Sequence, residues 1–400
     1  MDVFWANFLS TVGILEITIG QITMILVSFL LAYLGIVKKY EPLLLIPISF
    51  GMMIANMPIA GLTAYCAPHL ADELCGVCGG THREGGLLWH IYQILRMGIL
   101  PPMIFLGLGA ITDFSPLIAN KKYWIIGIGG QFGIFSAFGL SRLVGNTFGY
   151  HFPEIAFTAR QAATIGIIGS SDGPTAIFTA ITLAPELLSV IAIAAYSYMA
   201  LVPIIQPPIM KLLTTDKERV IVMPEPRQVT QRQRILFPIF IAAGVLLLVP
   251  TAGPLIAMFM LGNLIRESKV AERISHALQG DFLSILTMFV GLCIGVTSTA
   301  DNIINITTIV IIILGLLAFA LGTVGGVLTA KLLNVITGGK VNPLIGNSGV
   351  SAMPMAARVS QKVALEYNPN NFVIMHAMGP ILASTIGSAV VAGIFISLLL

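Results

Sequence analysis

Two polar interruptions within long apolar runs constrain this chain more than any other feature. The first reads Ile-Ile-Gly-Ser-Ser-Asp-Gly-Pro-Thr-Ala over residues 167–176, and the second reads Leu-Ile-Gly-Asn-Ser-Gly-Val-Ser-Ala-Met-Pro-Met-Ala-Ala over 344–357. Both begin with an apolar pair, a glycine, a small polar residue and a serine, and in both a proline follows that glycine by thirty-four residues, at Pro203 and Pro380. Paired interrupted segments in corresponding places of two halves indicate an ion or substrate site in a transporter fold.

The composition explains why such interruptions matter. Hydrophobic residues make up 56% of the chain and charged residues 10%, whereas an ordinary soluble domain carries about 25% charged residues. The sequence therefore predicts an all-α polytopic membrane protein, with about nine to twelve transmembrane or re-entrant segments. The net charge of +3 is read as a topology signal, and no nucleic-acid partner is expected.

A basic segment divides the chain. We expect one integral membrane domain over 1–400, made of a first half of about 1–210, a connecting loop over 211–234 and a second half of about 235–400. Lysine and arginine outnumber acidic residues in that loop, which places it on the cytoplasmic side. We expect the protein in the cytoplasmic membrane. The apolar run over 235–263 is broken near Pro250, which favours a hairpin returning to the same side.

Asp172 is the candidate ion ligand of the first interruption. An ionised carboxylate at bilayer depth costs about 2.5 to 3.5 kcal/mol even on lenient scales, so something must offset that cost. Proline at position 174 breaks the helix and frees backbone carbonyls, and Ser170, Ser171 and Thr175 add hydroxyl oxygens. Hard cations prefer oxygen ligands. The alternative is a structural kink with a protonated aspartate.

The second interruption offers amide and hydroxyl oxygens at Asn347, Ser348 and Ser351. Arg358 follows Ser351 by seven residues, so on a continuing helix the two would share a face. The guanidinium of Arg358 suits a carboxylate clamp. Its alternative role is that of an arginine extending to the membrane interface.

Two further groups of side chains leave alternatives open. Tyr196 and Tyr198 lie in an apolar run, where a phenol is either a proton donor or an amphipathic packing residue. Cysteine and histidine cluster in one loop, at spacings that suit a zinc site or a redox pair. The zinc-ligand candidates are Cys66, Cys75, Cys78 and His82.

Four long motifs carry a resemblance to a known family. They cover residues 169–178, 196–211, 341–358 and 371–380. At these residues the chain resembles the membrane-embedded beta subunit of the sodium-pumping biotin-dependent decarboxylases, which act with oxaloacetate, methylmalonyl-CoA or glutaconyl-CoA. The likeness runs from the first helix to the C-terminus.

The resemblance implies a carboxybiotin decarboxylase in which carbon dioxide loss drives sodium outward and consumes a proton. It implies two duplicated halves, arranged as a scaffold and a mobile core. Sodium ligands fall on Asp172, Asn342 and Ser351, and catalytic roles fall on Tyr198 and Arg358, with Arg358 also binding the carboxylated biotin. The implied partners are a carboxyltransferase alpha subunit, a biotin carrier domain and a small single-span subunit of the gamma or delta type, in a complex with several copies of this chain embedded in membrane lipid.

One position departs from the family pattern. After Met-Gly-Pro the family continues with asparagine, and this chain has Ile381. If that amide binds sodium, its site is weaker here or is completed by another group such as Asn347. The rival interpretation of the whole chain is a sodium-coupled secondary transporter of a carboxylate, which would use the same broken helices without chemistry.

Overall fold

The computed structural model describes residues 17–39, 42–57 and 87–400. These residues form helices joined by turns and contain no strand, which confirms the all-α class. The first nine helices are α1 Ile19–Ile36, α2 Pro42–Ala55, α3 Leu87–Arg96, α4 Leu100–Ile111, α5 Ser115–Ala119, α6 Tyr123–Gly130, α7 Phe132–Phe148, α8 Ala159–Ile167 and α9 Gly173–Leu183. The others are α10 Leu188–Leu213, α11 Asp216–Arg219, α12 Gln231–Leu248, α13 Gly253–Ser268, α14 Glu272–Ala277, α15 Leu283–Thr297, α16 Ala300–Ile303, α17 Ile306–Ile336, α18 Met355–Tyr367 and α19 Ile374–Leu399.

Six helical stretches within the described residues are long and apolar enough to cross a membrane, which confirms the polytopic prediction. They are Ile19–Ile36, Tyr123–Phe148, Gln231–Leu248, Glu272–Thr297, Ile306–Ile336 and Ile374–Leu399. The pair Pro185–Met199 and Leu201–Leu213, bent by 61°, adds one more if it is a single broken span. Shorter apolar helices, α2, α4 and α9, accompany these stretches. The predicted total of nine to twelve transmembrane or re-entrant segments stays a prediction.

The described residues fall into two compact units. Unit 1 contains those up to Leu100 together with Leu283–Thr308, and in it α2 packs along α15. The buried amide of Asn56 joins these helices, since its Nδ2 donates to the Ser298 carbonyl at 2.8 Å and its Oδ1 accepts from the Ala300 N–H at 2.9 Å. A polar side chain buried in an apolar unit is tolerated when it is fully bonded in this way.

Unit 2 contains Pro101–Phe282 and Ile309–Leu400, and α19 lies at its centre. That helix packs against α6, α9 and α18 and against the second interruption. The run over 235–263 is a hairpin, as predicted, in which α12 and α13 are joined by a short 3₁₀ turn at Pro250–Ala252. The basic loop is ordered by α11, and Lys211 belongs to the last turn of α10. The predicted relation between two sequence halves stays a prediction.

Candidate functional site

The first interruption is a true break between two helices. Helix α8 ends at Ile167, a 3₁₀ turn covers Ile168–Ser170, and Ser171 adopts the left-handed conformation with φ of 55°. Asp172 is then the N-cap of α9, and Pro174 occupies the first turn of that helix. Proline fits there because the first N–H groups of a helix have no intrahelical partner. The break therefore presents Asp172 at the start of a helix, where a negative charge is favoured.

Asp172 is buried, with 5% of its surface exposed, and hydroxyl groups hold its carboxylate. Its Oδ2 accepts hydrogen bonds from Thr175 Oγ1 at 2.7 Å and from Ser388 Oγ at 2.9 Å. Among the described residues, no lysine, arginine or histidine forms an ion pair with it. A buried carboxylate normally needs a cationic partner or a metal ion. The geometry thus suits a carboxylate that receives a mobile cation.

The second interruption lies directly against the first. A 3₁₀ segment covers Pro343–Gly349, and helix α18 starts only after Pro354. The Ser351 N–H donates to the Ser170 carbonyl at 2.8 Å, so the two breaks are in contact. We call the two interruptions, joined by this contact, the polar junction.

Close packing fixes the position of the second break. A Cβ on Gly130 would lie 1.6 Å from the Gly349 carbonyl oxygen, so the end of α6 approaches the backbone of the break where no side chain fits. Glycine permits such an approach because it lacks a Cβ. The break is therefore held by backbone contact and not by side chains alone.

Helix α19 connects the two breaks through serines. Ser384 and Ser388 are four residues apart and lie on one face of the helix. Ser351 Oγ donates to Ser384 Oγ at 3.1 Å, while Ser388 bonds Asp172. Gln131, at the junction of α6 and α7, donates from Nε2 to Ser384 Oγ at 2.9 Å. Asp172 and Ser351 therefore bond to two serines that lie one turn apart on α19.

Several buried oxygens near these breaks lack a hydrogen-bond partner within the described part of the chain. They are Ser171 Oγ, Gln131 Oε1 and Asn347 Oδ1. Asn347 uses its Nδ2 group fully, donating to Gln206 Oε1 at 2.9 Å and to the Ala356 carbonyl at 3.1 Å. Its oxygen is thereby left as an acceptor. Unsatisfied buried acceptors are rare in folded proteins, and oxygens of this kind are able to coordinate a cation.

Asn342 lies at a different point of unit 2. Its Nδ2 donates to the carbonyls of Arg219 and Ile221, both at 2.9 Å, and its Oδ1 accepts from the Leu344 N–H. Asn371 donates to the same two carbonyls at 3.1 Å. Asn342 therefore fastens the basic loop to the start of the second break. Its role as a sodium ligand stays a prediction, and the structure does not bring it into contact with Asp172.

Arg358 is exposed on α18 and forms no ion pair among the described residues. The expectation that Ser351 and Arg358 share one continuous helix is wrong, because residues 350–354 are not helical and α18 begins at Met355. Its guanidinium is thus available to an external anion, and its predicted roles stay predictions.

The two tyrosines of α10 have different surroundings. The Tyr198 hydroxyl donates to the Ile312 carbonyl of α17, whereas the Tyr196 ring covers Gly173, the residue after Asp172. A Cβ on Gly173 would lie 2.4 Å from Tyr196 Cε1. The phenol that packs beside the carboxylate is therefore Tyr196. Tyr198 remains the predicted proton donor, with a hydroxyl that is bonded to backbone.

The zinc candidates Cys66, Cys75, Cys78 and His82 lie outside the described residues. Within the described ranges no three His, Cys, Asp or Glu side chains gather in a way that could hold a metal.

Sequence reasoning missed Gln131, Ser384 and Ser388. Serines at spacing four in the apolar α19 were a signal for one polar face. The glutamine after Gly129 and Gly130, in an otherwise apolar run, was another signal. Ile381 is fully buried on the same helix, three residues before Ser384. The hydroxyls of α19 therefore supply oxygens one turn beyond Ile381.

Comparison with known proteins gives one family. The family model described as the Na⁺-transporting oxaloacetate decarboxylase beta subunit matches residues 20–399. The methylmalonyl-CoA decarboxylase subunit beta of Propionigenium modestum is 47% identical over 98% of each chain. The oxaloacetate decarboxylase beta chain of Klebsiella pneumoniae is 48% identical over 97% of each chain. The methylmalonyl-CoA decarboxylase subunit beta of Veillonella parvula is 48% identical over 97% of this chain and 95% of its own length.

Proposed function

Because the chain belongs to the family of Na⁺-transporting oxaloacetate decarboxylase beta subunits, we propose that it decarboxylates carboxybiotin and couples this reaction to outward sodium transport with consumption of a proton. One observation carries the proposal. Asp172 is buried at the junction of two broken helices, held by hydroxyl groups and without a basic partner among the described residues. A secondary carboxylate transporter, the rival interpretation, has no support from the names of the relatives.

The sodium ligands we propose are Asp172 and Ser351, joined through the serines of α19. The carboxylate supplies the charge that attracts the ion, and the hydroxyl and carbonyl oxygens replace its hydration shell. The unpartnered oxygens of Ser171 and Asn347 offer one further ligand oxygen at each of the two breaks. Asn342 belongs to a separate proposed position, next to the basic loop.

The chemical step needs an anion clamp and a proton. Loss of carbon dioxide from carboxylated biotin breaks a C–N bond and leaves the electron pair on the ring nitrogen, which takes up the proton. The exposed guanidinium of Arg358 suits the carboxylate, because its planar donors match two carboxylate oxygens. Tyr198 is the proposed proton donor. The biotin itself is carried by a partner chain.

The free energy of decarboxylation drives sodium transport only if the two processes are coupled. Moving one sodium ion outward against about 100 mV costs about 2.3 kcal/mol before any concentration difference. A favourable decarboxylation can supply that free energy if ion occupancy and carboxybiotin binding change each other's affinity. The contact between the Ser351 N–H and the Ser170 carbonyl supports such coupling, because the proposed ligands lie on both breaks.

The proposed assembly follows from the beta-subunit names of the relatives. We expect a carboxyltransferase alpha subunit, a biotin carrier domain and a small single-span subunit of the gamma or delta type, with several copies of this chain in the complex. The expected location is the cytoplasmic membrane, with the basic loop inside.

Reconstitution tests the function. The purified complex in liposomes should take up sodium from the medium when a decarboxylation substrate is added outside, and avidin should stop the uptake because it sequesters biotin. Substrate-gradient-driven transport that is insensitive to avidin would support the carrier and reject the pump. Co-purification of the carboxyltransferase identifies which acid or acyl-CoA to use.

Arg358→Gln tests the anion clamp. Truncating one partner of a desolvated charge pair costs about 2 to 5 kcal/mol, so we expect the KM for the carboxylated carrier to rise by about 30-fold or more. Steady-state decarboxylation at saturating sodium measures it. Lys362→Gln removes the same charge one turn later on α18 and should change KM little. Equal losses in the two variants would mean that only the general positive field matters.

A further inference from the structure

An open cavity of about 530 Å³ in unit 2 has a basic lining. We call it the basic pocket, and its polar lining residues include Asn120, Lys122, Tyr123, Arg227, Lys340 and His376. Lys122, Arg227 and Lys340 are exposed, and none of them forms an ion pair with a described residue. Glu225 is the only acidic side chain in this lining. The basic pocket therefore carries uncompensated positive charge.

The basic pocket has ordered walls. Arg227 Nε and Nη2 donate to the carbonyls of Ala119 and Ile118, each at 3.3 Å, which holds this loop arginine against the end of α5. The buried Tyr123 hydroxyl and His376 Nδ1 are 2.7 Å apart. The bonds of Arg227 mean that one of the three positive charges is preorganised before any ligand arrives, and preorganisation lowers the cost of binding.

A second cavity, of about 640 Å³, is almost wholly apolar. We call it the apolar groove, and its lining includes Ile128, Phe132, Phe135, Gly325, Leu328 and Val391. Ile128 is 66% exposed, Phe132 54% and Leu328 48%. Large exposed apolar side chains of a membrane-spanning helix face hydrocarbon. The apolar groove is thus a surface feature suited to an alkyl chain.

The two cavities follow one another along the same helices. On α6 and α7 the lining passes from Ile125 in the basic pocket to Ile128 and Phe132 in the apolar groove. On α17 it passes from Leu333 in the basic pocket to Leu328 in the apolar groove. At 1.5 Å per residue, the step from Ile125 to Phe132 is about 10 Å. The lining therefore changes from basic to apolar over a distance shorter than one lipid molecule.

We propose that these two cavities together bind one phospholipid with an anionic headgroup, its phosphate in the basic pocket and an acyl chain in the apolar groove. Basic pockets between membrane helices attract anionic headgroups, and the groove supplies the apolar area that a free anion would leave unused. A soluble phosphate would need only the basic pocket. A neutral lipid would need only the apolar groove. Neither uses both cavities, so the pairing favours the anionic lipid.

Native mass spectrometry of the delipidated complex tests the headgroup site. Phosphatidylglycerol should bind more tightly than phosphatidylcholine with the same acyl chains. Replacing Lys122, Arg227 and Lys340 with glutamine should weaken phosphatidylglycerol binding about fivefold per residue, and on the order of a hundredfold together. The control is Lys217→Gln, Lys269→Gln and Arg273→Gln, which removes the same exposed charge elsewhere. Equal binding of the two lipids, or equal losses in the two triple variants, overturns the proposal.

Leu328→Trp tests the acyl-chain site and does not depend on how well the triple variant folds. The added ring fills the apolar groove and should weaken phosphatidylglycerol binding while Leu247→Trp, at an exposed position of α12, leaves it unchanged. Glycerol 1-phosphate should compete poorly with the lipid. Full competition by glycerol 1-phosphate, with no effect of Leu328→Trp, would assign the basic pocket to a free anion and reject the lipid.

Discussion

Asp172→Asn should abolish the sodium dependence of decarboxylation. Asparagine keeps the shape of the side chain, and its amide oxygen can still accept from the hydroxyls of Thr175 and Ser388, so the fold should survive. The lost interaction is that of the carboxylate with the ion. Two unit charges about 4 Å apart at an effective dielectric of about 20 attract by about 4 kcal/mol. We therefore expect half-saturating sodium to rise on the order of a thousandfold, so that decarboxylation no longer responds to sodium over the concentrations that saturate the wild type.

Two further variants serve as comparisons for Asp172→Asn. Asp281→Asn removes an exposed carboxylate from unit 2 and should leave the sodium response unchanged. Ser388→Ala removes a neighbour of the carboxylate and should give a smaller shift of about tenfold, since one hydrogen bond to a charged group contributes about 1.5 to 3 kcal/mol. An unchanged sodium response in Asp172→Asn would reject the ligand role of this residue.

Tyr198→Phe should slow decarboxylation by about 10² to 10⁴-fold if the phenol is the proton donor, the range that general acid catalysis contributes. The variant keeps the ring and removes only the hydroxyl, which in the wild type donates to the Ile312 carbonyl. Single-turnover decarboxylation of the carboxylated carrier, at saturating sodium, measures the chemical step. A solvent isotope effect present in the wild type should change in the variant if proton transfer limits the rate.

Tyr196→Phe is the matched comparison because the two tyrosines are two residues apart on α10. The Tyr196 ring packs on Gly173 beside Asp172, so loss of its hydroxyl should alter sodium affinity more than the proton step. The reverse pattern, with Tyr196→Phe giving the larger loss of decarboxylation, would transfer the acid role to Tyr196.

The helix breaks were predictable because local chemistry dictates them. A proline directly after Asp172 and Gly173 favours a helix start, and the structure starts α9 there, whereas Pro203 and Pro380 lie inside helices. Pro354 likewise precedes a helix start, that of α18. The apolar hairpin near Pro250 follows from its proline and from the length of the run. Each of these features depends on residues that are neighbours in the sequence.

The composition of the polar junction was not predictable in the same way. Ser388 also donates to the Thr385 carbonyl of its own helix at 3.0 Å, which is the ordinary way for a serine to satisfy its hydroxyl in an apolar helix. Only the fold brings Asp172 within 2.9 Å of it. The pairing of Ser351 with Ser170, and the distance between Asn342 and Asp172 along the fold, likewise depend on tertiary packing. No local pattern encodes them.

The bond between the Ser351 amide and the Ser170 carbonyl has a consequence for biogenesis. Its two partners are synthesised far apart, on either side of the basic loop, so neither part of the chain alone contains all the sodium ligands that we propose. A sodium ion that needs ligands from both breaks binds only after the two breaks have packed together. Its binding then stabilises the packed state by mass action. We therefore expect sodium to stabilise the folded subunit during its assembly, in addition to being the ion that the subunit transports.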